Sequence, residues 1–438
     1  MDPIALRGRI LYFTDSPAAA GGEAVVYHED GLLWVEAGRV RAVDDHAALV
    51  GRLPASVPVR RYPNHLIVPG FIDAHLHYPQ TEMIGAWGAR LLDWLETYTF
   101  PVERKFADSR HAADVARRFL DELLRNGTTT AAVFCSVHRQ SVEALFAEAR
   151  KRSLRLVAGK VLMDRHVPAD LRDTAEQGYA ESRELIRRWH GVDRLGYAVT
   201  PRFAPTSTPR QLTLAGRLLD EFPGVYLQTH IAETAREVTW VGTLFPEAAG
   251  YADVYRRHGL LGRRSLLGHG IHLDDDERRM LADSGASIVH CPTSNLFLGS
   301  GLFSLRRARE AGLRVALATD VGAGTSFSMF QTMQEAYKIQ QLQGEPLDAL
   351  EAWYLATLGG ARALDLEGVI GSLCPGAEAD FLVLDLEATP LLRFRLQHCR
   401  ALSEMLFVLI VLGDDRLVAE TWVLGQCRWQ KTLSTDGT

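Results

Sequence analysis

The chain is predicted to be an α/β protein, a (β/α)8 TIM-type barrel with a small β-sandwich domain built from both chain ends. Three observations predict it. Between about residues 67 and 366, eight short apolar strands alternate with amphipathic helical segments; both ends are β-rich; and histidines and carboxylates recur at predicted strand ends. Barrels of this kind carry their chemistry at the C-terminal ends of their strands. The expected division is 1–66 and 367–438 for the two parts of the β-sandwich domain, and 67–366 for the barrel.

In chain order, Ala24–Tyr27, Leu32–Val35 and Arg39–Val43 read as strands, with turns at Glu29-Asp30-Gly31 and Ala37-Gly38. Leu66–His75 is the first barrel strand. Asp108 or Ser109 caps a helix whose apolar residues Ala112, Val115, Ala116, Phe119, Leu120 and Leu123 repeat at the 3.6-residue period, and Asn126-Gly127 stops it. The other strands are Thr128–Phe134, Leu154–Val161, Leu195–Thr200, Gly224–His230, Ser265–His269, Ala286–His290 and Leu313–Thr319. Amphipathic stretches such as Pro209–Phe222, Asp274–Ser284 and Ser304–Ala311 lie between them. After residue 366 the β-rich character returns in Phe381–Asp385, Met405–Leu412 and Leu417–Trp429, with Met405–Leu412 expected as a buried strand or an interface.

Composition narrows the function. With 438 residues, 47% hydrophobic and 23% charged, the chain is an ordinary globular sequence. A net charge of −6 gives no electrostatic reason to expect nucleic acid or anionic membrane as a partner. No apolar run approaches the roughly 20 residues of a membrane span, and the first residues carry no basic, apolar leader pattern. Cys135, Cys291, Cys374, Cys399 and Cys427 are odd in number and unpaired in spacing, which predicts reduced thiols, a cytoplasmic location and no cysteine-ligated zinc.

Chemistry concentrates where the barrel demands it. His75 and His77 stand two apart on a strand, so both imidazoles share a face and form half of a metal site. His230 closes the fifth strand, His269 the sixth and Asp320 the eighth. Any one of these residues by itself would be read as a satisfied core residue, but together at strand ends they predict nitrogen and oxygen ligation of zinc or iron(II). Glu233 follows His230 by three residues where loop turns into helix, and is read as a general acid/base rather than a carboxylate favoured by the helix dipole. A divalent metal brings the pKa of a bound water toward about 7, and a carboxylate beside it can carry the proton. His269 is either a further ligand or a hydrogen-bond donor to the attacking oxygen; spacing leaves both open. His290 and Cys291 are expected to line the barrel or pocket wall, Asn295 to make a supporting hydrogen bond or a turn, and Trp87 and Trp94 to cover a flat ring or simply pack.

The stretch Pro69–His77 resembles the first-strand motif of the amidohydrolase superfamily, and Gly376–Asp385 resembles its C-terminal β-domain strand. Within that superfamily the chain resembles the guanine-deaminating family, through His77-Tyr78-Pro79-Gln80, Trp94–Glu103, Thr229–Glu233, Cys291–Gly301 and Ala318–Gly324. The resemblance implies a hydrolase acting on C–N bonds of cyclic amidines, with His75, His77, His230 and Asp320 as ligands of one zinc and Glu233 as proton shuttle. It implies that Gln80, Arg202, Phe203 and His230 contact guanine, with the Arg202 fork on a purine carbonyl and Phe203 stacked on the ring. The implied reaction is guanine to xanthine and ammonia, with attack at C2, Glu233 protonating N3 and Asp320 taking the second proton. A homodimer is also implied. The rival readings are a related barrel acting on 8-oxoguanine, a pterin or an aminotriazine, and a catalytically silent scaffold.

Overall fold

The computed structural model describes residues 2–88 and 91–432. Four strands come first: β1 (Ile4–Phe13), β2 (Val25–Glu36), β3 (Arg39–Asp45) and β4 (Val59–Pro69). Nine follow: β5 (Phe71–His77), β6 (Thr128–Phe134), β7 (Arg155–Gly159), β8 (Val161–Leu162), β9 (Leu195–Pro201), β10 (Tyr226–Ile231), β11 (Ser265–His269), β12 (Ser287–His290) and β13 (Arg314–Leu317). The last three are β14 (Phe381–Asp385), β15 (Val418–Val423) and β16 (Gln426–Gln430).

Strands β5 to β13 form a parallel barrel of eight staves. β8 continues β7 past Lys160 and pairs with β9, so the two count as one. Beyond β13 the chain closes on β5: the Asp320 N–H donates to the His75 carbonyl at 2.9 Å and the His77 N–H to the Val321 carbonyl at 2.6 Å. Every residue of β5, β6, β11 and β12 is buried, as expected of parallel strands covered by helices outside and packed side chains inside. The helix Ser109–Arg125 shows how the helical cover forms. The Asp108 carboxylate accepts the Arg110 N–H at its start, the expected apolar residues are buried against the strands, and Asn126 with left-handed Gly127 ends it.

The two chain ends make one continuous seven-stranded sheet, ordered β16-β15-β14-β4-β1-β2-β3. Left-handed Ala37-Gly38 and Leu424-Gly425 make the tight turns of its hairpins. β14 pairs along β4, and β4 runs directly into β5, so sheet and barrel share one chain segment. Arg194, just before β9, pairs with Asp380 and with Glu378 at 2.7 Å beside β14, pinning the sheet to the barrel.

Three expectations change. Glu29-Asp30-Gly31 is no turn, because β2 runs straight through it against β1; a Cβ on Gly31 would lie 2.6 Å from Ile10 Cδ1, so this glycine serves close packing at a bulge. The segment expected as one strand, Leu66–His75, divides at Gly70: Leu66–Pro69 belong to the flanking sheet and Phe71 opens the barrel. Met405–Leu412 is helical, within Leu402–Leu412, not a strand. Glu404 accepts the Arg400 N–H at its start, and Leu406, Val408, Leu409 and Ile410 are buried. Among the described residues no helix is long and apolar enough to cross a membrane.

Candidate active site

Strand ends bring the candidate residues together at one mouth of the barrel. His75 and His77 come from β5, His230 from β10, His269 from β11, and Asp320 lies just past β13; all but His230 are buried, and His230 is partly exposed. His77 Nε2 and His230 Nε2 stand 3.2 Å apart, and Asp320 Oδ1 lies 3.4 Å from His75 Nε2 and 3.5 Å from His77 Nε2. Asp320 and His269 both have left-handed backbones, at φ 52° and 73°, which turn their side chains inward where the strands end. Gly268 lets the His75 ring lie across β11, since a Cβ there would sit 2.9 Å from His75 Cε1.

These residues fit a divalent cation. His75 Nε2 is buried with no hydrogen-bond partner, an arrangement that costs free energy unless a cation takes its lone pair. The His230 Nδ1–H donates to the Arg202 carbonyl at 2.6 Å, which fixes the tautomer and leaves Nε2 free to ligate. Burial and the neighbouring imidazoles hold His77 and His230 well below the ordinary histidine range, so both are neutral and able to ligate a cation. Burial pushes the Asp320 carboxyl up, but the neighbouring His75 and His269 rings outweigh it and leave the group ionised. Cys291 Sγ borders this cluster, yet burial raises its pKa well above the usual range and its thiol faces the Val289 carbonyl at 3.5 Å. It stays a thiol and lines the wall.

Glu233 has the opposite electrostatics. Burial first, then the nearby Glu237 and Asp320, push its pKa well above the carboxylate range. Its Oε1 accepts from Ser300 Oγ–H at 2.8 Å, while Oε2 lies 3.5 Å from His269 Nε2. Two carboxyls in one site, one held ionised and one held protonated, are suited to acid/base work. The Asn295 amide lies 2.9 Å from His269 Nδ1 and fixes that ring.

A pocket opens over this cluster and is lined by Gln80, Trp94, Arg202, Phe203, Leu298 and Ala323 as well as the polar residues above. Trp94 is buried in its wall, whereas Trp87 is 76% exposed. All the expected contact residues therefore converge. Three contributors were not foreseen. Glu103 is fully buried and grips Arg202 and Gln80; Ser300 holds Glu233; and Glu237 accepts the Glu233 N–H at 3.0 Å and the Tyr251 hydroxyl at 2.7 Å. The spacing Thr234-x-x-Glu237 was a legible capping-box signal. Glu103 and Ser300 lie in stretches that carry the family resemblance, but periodicity shows neither their burial nor a partner far away in sequence.

Neutral imidazoles, an ionised aspartate and a protonated glutamate at the C-terminal mouth of a closed parallel barrel define a metal-dependent hydrolase. Residues 66–427 match the Amidohydrolase family, and the chain belongs to that family. It is 47% identical over 430 residues to a guanine deaminase of Escherichia coli (strain K12), covering 98% of each chain. The solved E. coli guanine deaminase matches with a TM-score of 0.96 over 98% of this chain and all of the other. A guanine deaminase from C. acetobutylicum with bound guanine in its active site is 28% identical, with a TM-score of 0.88 over 97% of this chain and all of that one. An adenosine deaminase from Xanthomonas campestris with bound zinc is 26% identical, with a TM-score of 0.85 over 99% and 95% of the two chains. Membership of the family implies a divalent metal, and the cluster around His75 can hold one.

Proposed function

We propose that this protein hydrolyses guanine to xanthine and ammonia, with His75, His77, His230 and Asp320 holding one zinc ion. The observation that carries the reading is the shared pocket: the Glu233 carboxyl, the metal-ligand cluster and the Arg202 guanidinium face one enclosed space. When bound, a divalent cation there acidifies a water and polarises the reacting carbon.

The chain's own residues do the rest. Arg202 offers its planar fork to the purine O6, Gln80 offers an amide N–H, and Phe203 stacks on the ring. The ring is thereby oriented with C2 over the metal-ligand cluster. Glu233 gives its proton to N3 as a water oxygen bonds to C2, and takes up the proton that water releases. Asp320 accepts the second water proton and passes it to the amino group, so that the C2–N bond breaks, C2=O forms and ammonia leaves. With the Asn295 amide on Nδ1, the His269 Nε2 proton faces the attacking oxygen, which supports the donor role over ligation. In this reading residues 67–366 are the catalytic unit, and the protein is a cytoplasmic homodimer. Its five free cysteines suit a reducing compartment.

The test compares ring-absorbance loss with guanine, 8-oxoguanine and adenine for protein of known metal content. Guanine turnover that disappears on chelation and returns with one equivalent of zinc is expected. Turnover of another ring in preference to guanine would overturn the substrate assignment.

A further inference from the structure

We infer that Glu103 is a positioning residue for substrate choice, acting through Arg202 and Gln80. This rests on the proposed purine reading of the same pocket. Glu103 is fully buried, and both of its oxygens accept from Arg202 Nη1, at 2.9 and 2.8 Å. Its Oε1 also accepts from Gln80 Nε2 at 3.1 Å, and Gln80 Oε1 accepts the Gly322 N–H at 3.3 Å. One carboxylate thus ties together the two groups that face the ring. It lies behind Arg202, away from the reacting carbon.

Two consequences follow physically. A guanidinium in a closed pocket is costly without a counter-charge, and guanine, being neutral, supplies none. Glu103 neutralises Arg202, so the pair presents an oriented donor to a neutral keto oxygen without an excess charge that would favour anions. The second consequence is geometric. With Nη1 occupied by Glu103 and the cation held near the Phe100 ring, only the Nε/Nη2 edge remains for substrate. That fixes which edge of the purine is read. Gln80 is held at both ends of its amide, leaving one Nε2 hydrogen free. The residue serves recognition of O6 rather than chemistry at C2.

The test uses the zinc-loaded enzyme with guanine and 2-aminopurine, which keeps the reacting amino group but lacks O6. In Glu103→Gln, KM for guanine rises on the order of 10²-fold while kcat moves only a few-fold. The preference in kcat/KM for guanine over 2-aminopurine collapses toward unity, and metal content stays at one per chain. An unchanged preference overturns the proposal, as does equal loss on both substrates, which is what a structural role would give. Should Glu103→Gln fail to fold, the pair Arg202→Met and Arg202→Met/Glu103→Met removes both charges together. There Glu103→Met should cost only the smaller share of guanine preference carried by Gln80, and a further loss as large as that of Arg202→Met itself would refute action through Arg202. If the unaltered enzyme turns over no guanine, the underlying reading fails instead, whatever the variants do.

Discussion

The acid/base pair depends on environment more than on residue type. Glu233 and Asp320 share one buried site, yet burial beside Glu237 keeps the first protonated while His75 keeps the second ionised. Glu233→Gln keeps shape and the Ser300 contact but carries no transferable proton. It should lower kcat by about 10²- to 10⁴-fold with metal content unchanged, measured by steady-state assay and metal analysis. His290 tests a different property. Both of its ring nitrogens are buried without partners, the ring stacks on Phe303 at 4.8 Å, and burial then nearby His269 push its pKa down to about 3. Its unfolded pKa is near 6.5, so between these values the unfolded chain binds more protons and stability falls as pH falls. This stabilising contribution is complete above pH 6.5 and drops by about 1.4 kcal/mol per pH unit below it. With chelated protein, the urea midpoint of His290→Leu should fall less steeply between pH 6.5 and 5 than that of the parent; parallel slopes would contradict the assignment.

At the level of the element, the site depends on what strands omit as well as what they carry. β11 passes beneath the His75 ring only because Gly268 has no side chain. Gly268→Ala would press a methyl against that ring at 2.9 Å, and β11 is locked between β10 and β12 by its ladder, so the ring is what moves. Metal content should fall well below one per chain, with turnover falling in proportion. Stoichiometric metal in this variant would show that His75 has room the geometry does not reveal. The helix Ala235–Leu244 is tied to catalysis in a similar way. Its Thr234/Glu237 capping box orders the turn that carries Glu233, so helix start and proposed proton carrier are one construction.

On the scale of the whole molecule, barrel and flanking sheet are joined covalently through β4 and β5 and ionically through Arg194, Asp380 and Glu378. All three side chains of this cluster are buried. Arg194→Met leaves Asp380 without its cation, although Arg155 still reaches Glu378 at 2.6 Å. A loss of about 3–5 kcal/mol in urea unfolding is expected, with guanine turnover little changed in the protein that remains folded. A loss below 1 kcal/mol would mean the two bodies are held by the shared strand and apolar packing alone.

The sequence by itself determined the barrel and its eight staves, and it put the residues proposed as metal ligands and proton carrier at one mouth. These follow from local rules, because alternating periods mark strands and helices and a barrel sends strand-end residues to one mouth. Tertiary structure alone decided that Met405–Leu412 is a helix, that Leu66–His75 serves two sheets, and that Glu103 and Ser300 support the site. Each of those outcomes depends on partners distant along the chain: Glu103 meets Arg202 across 99 residues, and Ser300 meets Glu233 across 67. A short apolar run or a lone carboxylate has the same local pattern in either role, and only the three-dimensional packing around it selects one.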